Sequence, residues 1–246
     1  MSEDEAGLND ALAQVFALVE TVDGWLTREE GELLYRLARG CTGRGVIVEI
    51  GSFKGKSTIW LAKGSQAGAN VPVYAIDPHT GSAEHRATGD GQIWTYEEFM
   101  NNLRRAGVEG LVHPLLTTSA EAAPSFRQPV ELLFIDGDHR YEAVRQDFDL
   151  WFPKVVEGGY LLMHDTIRWD GPRRVARESL YRSCHFRGVG FVHSISYGQK
   201  VARNARSDRL RNRYVLLLHF VYDRLSYIRV PPVLKRAAKA VFSRLQ

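Results

Sequence analysis

The chain has 246 residues, 44% hydrophobic and 25% charged, enough to bury one sizeable α/β core and too apolar for a disordered polymer. Its net charge of +3 is unevenly placed, since residues 1–202 sum to −6 and residues 203–246 to +9, so an attraction to anions belongs to the tail alone. Two cysteines (Cys41 and Cys184), an acidic start without a secretory pattern and no apolar run of spanning length point to a cytoplasmic chain.

Residues 1–40 read as an N-terminal helical cap, followed by a catalytic unit over 41–202. Within it, Val46-Ile-Val-Glu-Ile50 is an apolar, β-favouring run that ends at Gly51-Ser-Phe-Lys-Gly55 and opens a helix at Lys56-Ser57-Thr58. Glycines let the backbone bend and a ligand approach, and the amides that start a helix attract anions. A P-loop needs four residues before its Gly-Lys-Ser, whereas Gly51 and Gly55 enclose three, which disfavours a nucleotide hydrolase. A dinucleotide turn needs G-x-G-x-x-G, and Ser52-Phe53 stands in its place.

A second strand over Val71 to Ile76 ends at Asp77, suited to holding ribose hydroxyls or to capping a helix. The polar stretch from His79 to Gln92 is expected to close over the cleft, offering His79, His85 and Arg86 to a ligand. A covering helix is predicted from Trp94 to Leu103 and a strand from Leu111 to Leu116, with His113 structural and Ser119 just beyond.

Two further buried strands carry the chemistry. Glu131-Leu-Leu-Phe-Ile135 ends in Asp136-Gly-Asp138-His139, and Gly159-Tyr-Leu-Leu-Met163 ends in His164-Asp165-Thr166. In a doubly wound sheet both ends lie on the carboxyl edge, so Asp136 and Asp165 meet across one cleft. Two converging carboxylates repel unless a cation joins them, which points to Mg²⁺ with His164 beside it. Asp138 and His139 are alternatively caps of the helix that follows. Trp169 is placed to stack on a ligand ring or to anchor its loop. In residues 203–246 two basic amphipathic helices are predicted, the first presenting Leu210, Tyr214, Leu217, Leu218, Val221, Leu225 and Ile228 on one face. That face suits the core, a homodimer contact or peripheral attachment to an anionic membrane; no recognition motif accompanies the charge, which disfavours nucleic acid.

The segments VEIGSFKGKSTIWLAKG, IDGDHRYE and EGGYLLMHDT, with DGWLTREEGELLYRLAR upstream, resemble the metal-dependent sugar O-methyltransferases of the class I S-adenosylmethionine-dependent group, a group that includes proteins labelled cephalosporin hydroxylases. The resemblance runs from about Gly24 to about Val201. It implies a Rossmann-like, mostly parallel seven-stranded sheet and the methyl donor held by Glu49, Gly51, Ser52, Gly55, Ser57, Asp77, Ser119 and Asp136. It further implies Mg²⁺ (or Mn²⁺) on Asp136 and Asp165, with His139 as general base assisted by Asp138. His164 stands where that group usually has Glu or Asp, so the third ligand departs from the pattern. The implied acceptor is a sugar or oligosaccharide hydroxyl, a mycobacterial methylmannoside precursor being the sharpest form. Catechol or phenol methylation, and a non-catalytic cofactor-binding protein at a membrane surface, are the alternatives.

Overall fold

The structure is a computed structural model that describes residues 3–81 and 94–226; His85, Arg86 and the second predicted tail helix lie outside the described residues. Seven strands form one sheet in the order β3-β2-β1-β4-β5-β7-β6. They are β1 (Val46–Ile50), β2 (Val73–Ile76), β3 (Val112–Leu115), β4 (Val130–Ile135), β5 (Val155–Met163), β6 (Phe186–Val192) and β7 (Ile195–Lys200). The first five run parallel, and β7 pairs antiparallel with both β5 and β6. β1 and β4 are fully buried, which is why they read as unbroken apolar runs rather than alternating ones. Pro114 is tolerated in β3 because that strand is at the sheet edge.

From β1 the chain winds outward to β2 and β3, then returns to place β4 on the other flank of β1. The order therefore reverses between β1 and β4, and a crevice opens beyond their carboxyl ends. Ile50 pairs with Ile135 and Ile135 with Met163, so Gly51, Asp136 and His164 emerge side by side. This register converts three separate sequence motifs into one site.

The N-terminal helices α1 (Glu3–Val19) and α2 (Arg28–Arg39) pack on α3 (Lys56–Gln66) and share a core with the sheet, Leu12, Val15 and Leu34 joining Ile47, Trp60 and Phe134. The covering helix α4 spans Tyr96–Ala106, shifted about one turn from its predicted bounds, and ends at Gly107 with φ of +64°. The short α5 (Ser119–Ala122) is closed by a capping box between Thr118 and Glu121. α6 (Tyr141–Trp151) and α7 (Asp170–Ala176) cover the other face, where Phe148, Trp151 and Val175 meet Leu133 and Leu161.

The tail helix α8 (Arg206–Ser226) packs against β6, but mostly not through the predicted apolar stripe. Its buried residues are Asn212, Val215, His219 and Asp223. Asn212 donates to Phe186 O at 3.0 Å, and Asp223 accepts from Arg173 and from the Arg168 amide. Val215 enters the core with Leu216, Leu218 and Tyr222 packed against it, and these hydrogen bonds fix the rest of the inward face.

Candidate active site

At the end of β1 the backbone turns through Gly51 at φ of +86°. A Cβ there would fall 2.1 Å from the Asp136 carbonyl oxygen, so only glycine lets β1 and β4 approach at this point. The turn is shaped by Asp77, whose Oδ2 accepts from the Ser52 and Phe53 amides at 2.8 Å each and whose Oδ1 accepts from the His79 amide at 2.6 Å. Asp77 thus organises the loop, and its carboxylate stays partly exposed, with acceptor capacity left for a ligand hydroxyl.

Glu49 lies beneath the turn with no exposure, accepting from Thr58 Oγ1 at 2.5 Å. Burial pushes its carboxyl up to about 7. It braces the start of α3 together with buried Ser57. Glu49 Oε1 and Ser52 Oγ are buried without a well-formed hydrogen bond. On the far side Ser119 Oγ donates to Asp147 of α6, a group the sequence reading missed. Burial raises that carboxyl to about 6.

The second half of the site is built from side chains. His164 Nδ1 is 2.8 Å from Asp136 Oδ1 and 3.3 Å from Asp165 Oδ2, and the three donor atoms lie within 4.8 Å of one another. Asp165 sits at φ of +55°, a costly conformation for a side-chain-bearing residue, which turns its carboxylate back toward the strand ends. His139 Nε2 is 2.9 Å from Asp165 Oδ2, and its ring packs on Trp169 with centroids 4.2 Å apart. Gly171 at the start of α7 permits this arrangement, because a Cβ there would be 2.1 Å from the His139 carbonyl oxygen.

Burial opposes charge on His164, but Asp136, Asp165 and Glu30 outweigh it and hold the imidazole well above its ordinary value. Burial likewise opposes ionisation of Asp165, and His139 and His164 together hold its carboxyl far below the carboxylate range. For Asp136 burial prevails over His164 and leaves the carboxyl raised.

Glu30 was assigned no role from sequence. It is 1% exposed, reaches from α2 to within 3.7 Å of His164 Nε2, and accepts from Ser194 N and Oγ at 2.8 and 2.7 Å. Burial would raise it, yet His164, Ser194 and Thr27 pull it down to about 2. The available signal was Thr27-Arg28-Glu29-Glu30, a capping box whose glutamate also closes the box in the structure.

Two expectations need correction, while Trp169 keeps both of its alternatives. Asp138 accepts from the amide of Arg140, the N-cap residue of α6, at 2.8 Å and pairs with the Arg140 guanidinium, so it neither caps the helix nor joins the cluster. His79 is 1% exposed and bonded to Thr95 Oγ1 at 2.9 Å, which removes it from any acceptor surface. Trp169 anchors His139 while remaining 42% exposed.

Asp136, His164 and Asp165 fit a divalent cation. Their ligand atoms lie within 4.8 Å of one another, and two carboxylates plus an imidazole offer a mixed oxygen and nitrogen set. That set suits Mn²⁺ or a similar transition ion better than Mg²⁺, which favours oxygen.

Residues 48–166, which hold the turn and the cluster, match a family described as a methyltransferase domain. The match spans just under half of the chain. A catechol O-methyltransferase of Mycobacterium tuberculosis is 27% identical over 143 residues, 58% of this chain and 56% of that enzyme. Alignments with other curated relatives likewise span about half of their length or less. Among solved structures, the O-methyltransferase NovP is 17% identical with a TM-score of 0.63, covering 81% of this chain and all of NovP. TomG of Streptomyces achromogenes, solved with S-adenosylmethionine, is 21% identical with a TM-score of 0.53 over 82% of this chain and 92% of its own. A TDP-rhamnose 3'-O-methyltransferase of calicheamicin biosynthesis is 14% identical with a TM-score of 0.50 over 81% and 95%. These likenesses establish the class I methyltransferase fold, a mostly parallel sheet closed by one antiparallel hairpin. No helix among the described residues is long and apolar enough to cross a membrane.

Proposed function

We propose that the chain is an S-adenosylmethionine-dependent O-methyltransferase acting on a hydroxyl of a sugar or glycosylated metabolite. The observation that carries this is the juxtaposition across the β1–β4 reversal. A glycine turn shaped by Asp77 faces a histidine–carboxylate cluster, so a donor and an acceptor oxygen share one crevice.

In this mechanism the turn and Asp77 hold the donor, and Ser119 with Asp147 borders it. His139, oriented by Asp165, accepts the proton of the acceptor hydroxyl. The oxygen then takes the methyl group from the sulfonium, and S-adenosylhomocysteine leaves. Asp136, Asp165 and His164 would hold a divalent cation, which lowers the pKa of a hydroxyl it touches. Trp169 offers a flat apolar surface beside His139, suited to a sugar ring.

Catechol methylation is the second reading, favoured by the similarity to the mycobacterial catechol enzyme. Calorimetric titration with S-adenosylhomocysteine, in the presence and absence of Mn²⁺ and Mg²⁺, tests the donor site, with Asp77→Ala expected to weaken binding. Methyl transfer to sugar nucleotides, mannosides and catechols then separates the acceptors. No homologue binding under any condition sinks the methyltransferase reading; turnover of catechols alone rejects the sugar.

A further inference from the structure

Most of the apolar stripe that patterning marks out on α8 is turned outward. Leu210, Tyr214, Leu217, Phe220, Val221 and Leu225 are between 39% and 71% exposed, one apolar stripe along a helix held down by its polar side. At a helical spacing Arg206, Arg213 and Arg224 fall beside that stripe, and all three are exposed. Where α8 meets α7, a cleft of about 430 Å³ is lined by Arg173, Arg174, Arg177, Leu216, Phe220 and Arg224, with Asp170, His219 and Asp223 completing its wall. Arg173 is committed to Asp170 and Asp223, and Arg174 to Glu178. Arg177 reaches Glu178 only at 4.0 Å, and Arg224 lies over the Phe220 ring at 5.2 Å, so two guanidiniums sit at the mouth beside apolar side chains.

We infer that this surface docks on an anionic membrane, the arginine cleft receiving lipid phosphate headgroups while the stripe enters the headgroup boundary. Charge decides between occupants. Residues 227–246 carry five basic side chains and no acid, so that segment is repelled by an arginine-flanked stripe. A second copy brings the same arginines and meets the same repulsion. An anionic bilayer satisfies both the apolar stripe and the flanking guanidiniums, the combination that defines interfacial helices. Arg168 donates from its guanidinium to Ser226 O at 2.6 Å, tying the end of α8 to the segment just after Asp165. A docked helix therefore holds the rim of the crevice at the lipid surface. The inference does not depend on methyl transfer.

The test is co-sedimentation of the full chain with phosphatidylcholine vesicles made with and without phosphatidylglycerol. Binding is expected to be roughly tenfold or more tighter with phosphatidylglycerol and to weaken at about 1 M salt, where charges are screened beyond about 3 Å. Leu217→Glu with Phe220→Glu is expected to lower it about tenfold with an unchanged melting temperature, and Arg177→Glu with Arg224→Glu to remove the preference for the anionic lipid. Competition by inorganic phosphate that leaves vesicle binding intact is expected, since the stripe contributes independently; displacement of the protein by phosphate at ordinary ionic strength would assign the cleft to a soluble anion and overturn the inference. So would equal binding to both vesicles, binding unchanged in the stripe variant, or a dimer in solution that the stripe variant dissociates.

Discussion

His164 ends the run of β5 into the crevice, and His219 lies on α8 behind it with Nε2 3.2 Å from Thr166 Oγ1; they are 5% and 2% exposed. Three carboxylates surround the first, and it is held well above its ordinary pKa. Hydroxyls surround the second, Thr166 Oγ1 bonding onward to Ser196 and Ser196 to Tyr181, and burial drives it down to about 4 against the pull of Asp223. Equal burial therefore gives an imidazolium in one place and a neutral ring in the other. The difference marks which region expects a cation: the crevice cluster concentrates negative charge that a proton or a metal must balance, whereas the hydroxyl network behind it is satisfied by hydrogen bonds.

The largest effect that would break this contrast is His164→Leu, which leaves Asp136, Asp165 and Glu30 without their shared positive partner. A loss of about 3–5 kcal/mol in urea unfolding at neutral pH is expected, from the cost of stranding a buried charge. An unchanged midpoint would mean the carboxylates are not held by the imidazolium.

Next in size is the pH dependence. A raised folded pKa means that the His164 contribution is complete below its unfolded value of about 6.5 and is lost as pH climbs through the folded value. Metal-free wild type should therefore lose stability as pH rises above about 6.5, while Mn²⁺ affinity grows over the same window because the ion displaces that proton. A thermal melt series with and without Mn²⁺ checks both; Mn²⁺ affinity independent of pH would contradict the competition.

The smallest change is expected from His219→Gln. A depressed folded pKa gives a contribution present above about 6.5 and lost as pH falls through about 4. The variant should alter neutral-pH stability by about 1 kcal/mol and flatten the acid limb between those values. An acid limb identical to wild type would place its origin elsewhere.

Much of the crevice was legible because its parts are local. Gly51, Gly55 and Asp77 follow apolar strands at short range, and strand-end residues in a doubly wound sheet share one edge. Asp138 was misread because a carboxylate two residues before a helix serves equally as cap or catalyst, and sequence does not show Arg140 folding back on it. Glu30 was missed because 164 positions separate it from Ser194, and only the packing of α2 against the β6–β7 turn brings them together. For the tail, apolar periodicity left the core, a homodimer contact and a membrane surface open, and the hydrogen bonds of Asn212 and Asp223 to β6 and α7 turned the other face inward.

By itself the sequence determined the α/β class, the glycine turn, the four chemical groups at the strand ends and the excess charge of the tail, because each depends on residue type and short-range spacing. The tertiary structure alone decided which of those groups touch, which histidine carries a proton and which side of α8 meets solvent. Those outcomes depend on register, on distances across the chain and on the local balance of desolvation against neighbouring charge, none of which a linear pattern contains.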